Sequence, residues 1–127
     1  MSSAKQASNR KRGSDAEDLA CAYLEGKDYT ILDRNYFFEH AEVDIVAHTD
    51  FFIVFVEVKS RKNHDFGRPE EAVTEKKQQL IAKAAEAWLH ERKMTGSPVR
   101  FDVIAITQPG GQAPDIQHYR NAFIPGT

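Results

Sequence analysis

Phe51-Phe52-Ile53-Val54-Phe55-Val56-Glu57-Val58-Lys59 is the stretch on which the fold of this chain turns. Its apolar residues occupy both alternating faces, the pattern of a strand covered on both sides and therefore central in a sheet. Glu57 and Lys59 are two apart and point to the same face. Ionised groups at the end of a buried strand carry a large desolvation cost unless they are paired or bind something. The spacing alone supports two readings equally: a structural ion pair where the strand meets solvent, or a functional pair.

Upstream, residues 42–47 read as a second strand, separated from the first by the polar turn His48-Thr49-Asp50. A short link makes the two an antiparallel hairpin. With an even number of loop residues, such as 48–51, even positions face odd ones, and Glu42 and Asp44 join Glu57 and Lys59 on one face. An odd loop would separate the carboxylates. In the even register three carboxylates and a lysine converge, a set of oxygen ligands suited to a hard cation such as Mg²⁺.

Working outward, residues 29–38 are rich in β-branched and aromatic residues and read as a strand. Before them Ala16, Leu19, Ala20, Tyr23 and Leu24 repeat at helical spacing from Asp15, with Gly26 as the stop. Residues 1–12 are small, polar and basic and read as a disordered tail, with the domain spanning 13–127. Downstream, Asn63, Asp65, Gly67 and Pro69 punctuate a loop. A helix from 70 or 74 to 93 follows, with the apolar stripe Leu80, Ile81, Ala84, Ala85, Trp88 and Leu89, closed by Gly96-Ser97-Pro98. Residues 100–107 form a fourth strand, and 115–124 a short edge strand. The order α-β-β-β-α-β implies a single α/β domain with a mixed central sheet flanked by helices.

The chain has 127 residues, 41% hydrophobic and 28% charged, enough to bury a core without disulfides. The lone Cys21 pairs with nothing internal and reads as a small buried residue. No apolar run approaches the roughly 20 residues that cross a bilayer, and the first residues lack the apolar core of a secretory signal; the cytoplasm is the expected compartment. A net charge of −2 argues against coating nucleic acid through a general positive field. It leaves room for local phosphate binding, since metal-binding carboxylates offset basic residues in the sum. No P-loop, Ser/His/Asp spacing or dinucleotide fingerprint points to another enzyme class.

Asp44, twelve residues, then Glu57-Val58-Lys59 resembles the D-x(n)-E-x-K signature of restriction-endonuclease-like nucleases. The wider chain resembles the uncharacterised YraN family, related in fold to archaeal Holliday junction resolvases. The resemblance rests on Gly13-Ser14-Asp15-Ala16-Glu17-Asp18-Leu19-Ala20, Arg34-Asn35-Tyr36, Glu42-Val43-Asp44-Ile45-Val46-Ala47 and Val54-Phe55-Val56-Glu57-Val58-Lys59-Ser60-Arg61. It continues through Phe66-Gly67, Ala72-Val73, Lys77 and Arg100-Phe101-Asp102-Val103, and so covers nearly all of residues 13–107. Ala41 departs from it, standing where the family usually has glycine.

The resemblance implies a restriction-endonuclease-like fold and Mg²⁺- or Mn²⁺-assisted phosphodiester hydrolysis, with DNA, including branched DNA, favoured as substrate. Asp44 and Glu57 would hold the metal with the Val58 carbonyl, and Lys59 would orient water or stabilise developing charge. Glu17 matches the helix-1 glutamate that completes the site in resolvase-like nucleases. Ser14 to Glu17 also fits a capping box in which Glu17 folds back onto the Ser14 amide. Junction-cutting enzymes usually act as two-fold dimers, so a homodimer is a further expectation.

Arg61 and Lys77 are the expected nucleic-acid contacts, while Glu42, Lys76 and His64 are accessory candidates. For Lys76 and Lys62 the solvated reading is the stronger. His40, His48, His90 and His118 read as surface or loop, Trp88 as core, and Asp102 as a packing or hydrogen-bonding residue. The alternatives to a nuclease are a catalytically silent nucleic-acid-binding module and an assembly scaffold whose acidic patch is a structural ion network.

Overall fold

The computed structural model describes residues 3–61, 73–108 and 111–125, with side chains from residue 15 onward. The elements are α1 (Ser3–Gly26), β1 (Thr30–Phe38), β2 (Ala41–Thr49), β3 (Phe52–Arg61), α2 (Glu75–Glu91), β4 (Val99–Thr107) and β5 (Asp115–Tyr119). The strands form one five-stranded sheet in chain order. β1–β2, β2–β3 and β4–β5 are antiparallel, whereas β3 and β4 run parallel and are joined through α2. β3 is thus the middle strand, and the expected single α/β domain with a mixed sheet is what forms.

The β2–β3 register runs from Thr49↔Phe52 to Ile45↔Val56, even positions facing odd ones. The turn holds two residues, Asp50 and Phe51, fewer than the four-residue loop used to illustrate the parity. Asp50 takes φ 44°, a left-handed conformation that aspartate tolerates better than most residues. Glu39 does the same in the β1–β2 turn with φ 55°.

Two cores lie on opposite faces of the sheet. Ala16, Ala20 and Leu24 of α1 pack on Ile45, Ala47, Val54, Val56, Ile104 and Ile106. Ile81, Ala84, Ala85 and Trp88 of α2 pack on Val46, Ile53, Phe55, Phe101 and Val103. Trp88 is core as expected, Cys21 is buried, and of the adjacent Phe37 and Phe38 the first is exposed and the second packs on the α2-side core.

Both helices are closed by a left-handed residue other than glycine. α1 runs to Gly26, but the left-handed residue that closes it is Asp28, φ 68°. The Asp28 amide donates to the Glu25 carbonyl and the Tyr29 amide to that of Leu24. α2 ends before Gly96, closed by Lys93 at φ 56°, with Lys93 N–H on His90 and Met94 N–H on Leu89. These are Schellman closures, made by Asp and Lys where glycine is usual. α1 also begins at Ser3, ahead of the apolar repeat; alanine, lysine, arginine and glutamine in that segment are good helix formers without an apolar stripe.

Candidate metal centre and cleft

The alternation along β2 breaks at Asp44. Ile45 and Ala47 belong to the α1-side core and Val46 to the α2 side, yet Ala41 and Val43 also join the α2 side. The change of phase coincides with gaps in the ladder. β1 pairs through Arg34↔Ile45 and Tyr36↔Val43, and the residue between, Asn35, has φ 52°. On the other side the paired β2–β3 register ends at Ile45↔Val56, and the Val58 amide donates to Asp44 Oδ2 at 2.8 Å. Asp44 is therefore fixed by backbone at a place where both layers can reach it.

From the α1 layer comes Glu17. α1 is helical on both sides of Ser14, so no helix start exists there and the capping-box alternative is not the arrangement found. Instead Glu17 accepts a hydrogen bond from the Asn35 side chain and lies 3.8 Å from Arg34 Nη2, which also binds Asp18 at 2.8 Å. Carboxylate oxygens of Glu17, Glu42 and Asp44 lie within 4.8 Å of one another. Glu42, an accessory candidate in the sequence, belongs to this group as fully as the other two.

From the α2 side a cleft of about 590 Å³ opens onto the same place. Asp44, Glu57, Val58 and Lys59 line it together with His40, Glu42, Lys76 and Lys77. Glu57 is buried and makes a tight ion pair, Oε1 lying 2.6 Å from Lys77 Nζ and 3.8 Å from Lys59 Nζ. Lys77 is carried there by the start of α2, where Thr74 Oγ1 accepts the Lys77 amide at 3.2 Å. Lys76 is exposed at the rim.

Crowded acids in a poorly hydrated place hold on to protons. Burial, and then a hydrogen bond shared with Glu42, push Asp44 up to about 7, against the opposing Val58 amide. Burial and the Asp44 charge raise both Glu57 and Glu17. Burial and the nearby Lys77 lower Lys59. Burial is the largest single influence on Lys77 and lowers it, but its bond to Glu57, the Glu57 charge, Lys59 and Asp44 together raise it.

Other sequence candidates lie elsewhere. Arg61 donates from Nε to Thr107 Oγ1 at 3.3 Å and from Nη2 to Gln117 at 3.2 Å, so its guanidinium is engaged with β4 and β5 and does not line the cleft. His64 and Lys62, with Phe66-Gly67 and Ala72, lie outside the described residues. Ala41 is not at positive φ, so the backbone there has no need of glycine.

His118 is a correction. Its side chain is only 3% exposed, with Nε2 2.7 Å from the fully buried Asp102. Tyr23 and Tyr29 pack edge-on against its ring. Strand β5 turns it under α1, and no ligand-type spacing in the sequence could announce that. Arg34 and Asn35, which orient Glu17, were likewise visible only as pieces of a resemblance.

A sequence profile of the uncharacterised protein family UPF0102, the YraN-like family, matches residues 16–106. This chain belongs to that family. It is 43% identical to a UPF0102 protein of Geotalea uraniireducens over 97% of each chain. A UPF0102 protein of Geobacter sulfurreducens is 50% identical, covering 91% of this chain and 90% of that one. One from Rhodococcus opacus is 44% identical over 92% and 99%. The matched span contains every carboxylate and all three cleft lysines described above. Among the described residues of this UPF0102 protein, no helix is long and apolar enough to cross a membrane.

Proposed function

We propose that this protein is a metal-dependent endonuclease that hydrolyses phosphodiester bonds in nucleic acid, with DNA as the favoured substrate. The observation that carries the reading is the convergence of Glu17, Glu42 and Asp44 within 4.8 Å beside a cleft lined by Glu57 and three lysines, Lys59, Lys76 and Lys77. Three carboxylates at that separation repel one another, and Asp44 and Glu42 share a hydrogen bond that requires a proton. An all-oxygen donor set of this kind fits a hard divalent cation, Mg²⁺ or Mn²⁺. Glu17, Glu42 and Asp44 would hold it, with Glu57 as the neighbouring carboxylate. When bound, such a cation polarises a phosphate oxygen and makes coordinated water more acidic.

The chain's own residues supply the rest. The Val58 amide fixes the Asp44 carboxylate, and Arg34 and Asn35 hold Glu17 toward it. Lys59, with its ammonium destabilised by burial and by Lys77, is suited to orient a water or to stabilise negative charge on the reacting phosphate. Lys76 and Lys77 provide local positive charge for the backbone of a nucleic acid despite the acidic total.

One observation favours a second reading. Glu57 is already satisfied by Lys77 at 2.6 Å, as it would be in a structural ion network on a catalytically silent scaffold. Calorimetric titration with Mg²⁺ separates the two. The nuclease reading expects binding by the wild type that is lost in Asp44→Asn. A wild type that binds no divalent cation, with a variant at least as stable, would establish the scaffold.

A further inference from the structure

The Glu57–Lys77 contact is unlike an ordinary surface ion pair. Glu57 is 8% exposed at its side chain and takes Lys77 at 2.6 Å, whereas Lys59, its neighbour two residues along the same strand, stands off at 3.8 Å. Sequence proximity would favour Lys59; instead a residue from another element has the shorter contact. Lys77 comes from the first turn of α2, where a cation is opposed by the positive end of the helix dipole. Lys76 adds a second positive charge to the same turn. Glu75 in the same turn offsets part of that opposition, and the carboxylate in direct contact with the Lys77 ammonium is Glu57.

Glu57 thus carries a positive partner where the functional reading puts a metal alongside. A carboxylate oxygen at 2.6 Å from an ammonium cannot give the same lone pair to a cation, so the two compete. We infer that Lys77 is a place-holder on Glu57, neutralising it in the metal-free protein and yielding it when a divalent cation enters the carboxylate cluster. The inference rests on the functional reading for the metal. Its structural half, the tether in the metal-free chain, stands on the observed contact alone. Lys77 is here a positioning residue: it sets when Glu57 is open to a metal.

The test uses the full chain. In chelator, Lys77→Met lowers the melting temperature of the wild type but has little effect in a Glu57→Gln background, because the partner is already neutral. A double-mutant cycle of thermal melts reads this without activity. Mg²⁺ calorimetry then compares wild type, Lys77→Met and Lys76→Met. Lys76→Met removes the same charge one residue away without touching Glu57 and controls for general electrostatics. Lys77→Met should tighten Mg²⁺ by roughly tenfold, equivalent to about 1.4 kcal/mol, and Lys76→Met by less than about twofold. Wild type that binds Mg²⁺ while Lys77→Met binds no more tightly than Lys76→Met overturns the place-holder and leaves the nuclease reading intact. No Mg²⁺ binding by any of the three proteins overturns both. Additive effects of Lys77→Met and Glu57→Gln in the melts overturn the tether itself.

Discussion

Asp102→Asn should unfold this protein far more readily than its conservative chemistry suggests. Asp102 is wholly buried in β4. Its Oδ1 accepts from Arg100 Nε and from the Asn121 amide, both at 2.9 Å, and its Oδ2 accepts from Arg100 Nη2 at 2.9 Å and lies 2.7 Å from His118 Nε2. Arg100 continues to the Tyr29 hydroxyl at 2.7 Å, so one carboxylate ties the link between α1 and β1 to β4, β5 and the chain beyond it. An asparagine keeps the shape but removes the charge opposite Arg100 and turns donors toward donors. Breaking a buried pair by neutralising one partner costs about 3–5 kcal/mol. For a chain of this length, that is roughly 15 °C in melting temperature. The assay is urea and thermal denaturation at pH 7. The hydrogen bonds hold Asp102 below its ordinary value despite burial, which acts the other way. Its contribution is therefore present above about pH 4, the unfolded value, and is lost as pH falls through the folded one. The gap between wild type and variant should narrow in acid below about pH 4. A loss under about 1 kcal/mol at pH 7, or a gap that does not change with acid, would refute the reasoning.

The Asp44 carboxyl is raised to about 7 in the fold, so its contribution is complete below about pH 4 and is lost as pH rises through 7; metal-free wild type should weaken from pH 5 to pH 8 in urea melts with chelator, and Asp44→Asn should weaken less. Parallel profiles would contradict that. Lys93 closes α2 at φ 56°, a conformation that costs an L-residue about 1 kcal/mol, so Lys93→Gly should raise stability by about 0.5 kcal/mol after the glycine entropy is counted. A destabilised variant would show that the lysine side chain holds the turn.

The sheet was legible because β3 is apolar on both faces and because a hairpin register has a parity. The sequence left the parity of the turn open; the two residues Asp50 and Phe51 make it even, and Asp44 lines the cleft with Glu57 and Lys59. Trp88 and the α2 stripe followed from 3.6-residue spacing. What stayed hidden was three-dimensional. The break in β2 at Asp44 coincides with a left-handed Asn35 one strand away, and nothing in a period-2 pattern announces it. Glycine is the usual mark of a helix end, yet Asp28 and Lys93 make the closures. Arg61 follows the functional strand but finds Thr107 and Gln117, partners 46 and 56 residues along. His118 looked like a loop residue since its carboxylate partner arrives from a neighbouring strand.

The most direct test of the central claim is a cleavage time course. Labelled duplex, single-stranded and four-way-junction DNA would be incubated with the purified protein in Mg²⁺, in Mn²⁺ and in chelator, beside Asp44→Asn and Lys59→Met. The account predicts cation-dependent cutting of at least one substrate, abolished by chelator and by Asp44→Asn and reduced by Lys59→Met by about a hundredfold or more. Equal cutting by wild type and Asp44→Asn, or no cutting of any substrate by a wild type that binds the cation, would contradict it.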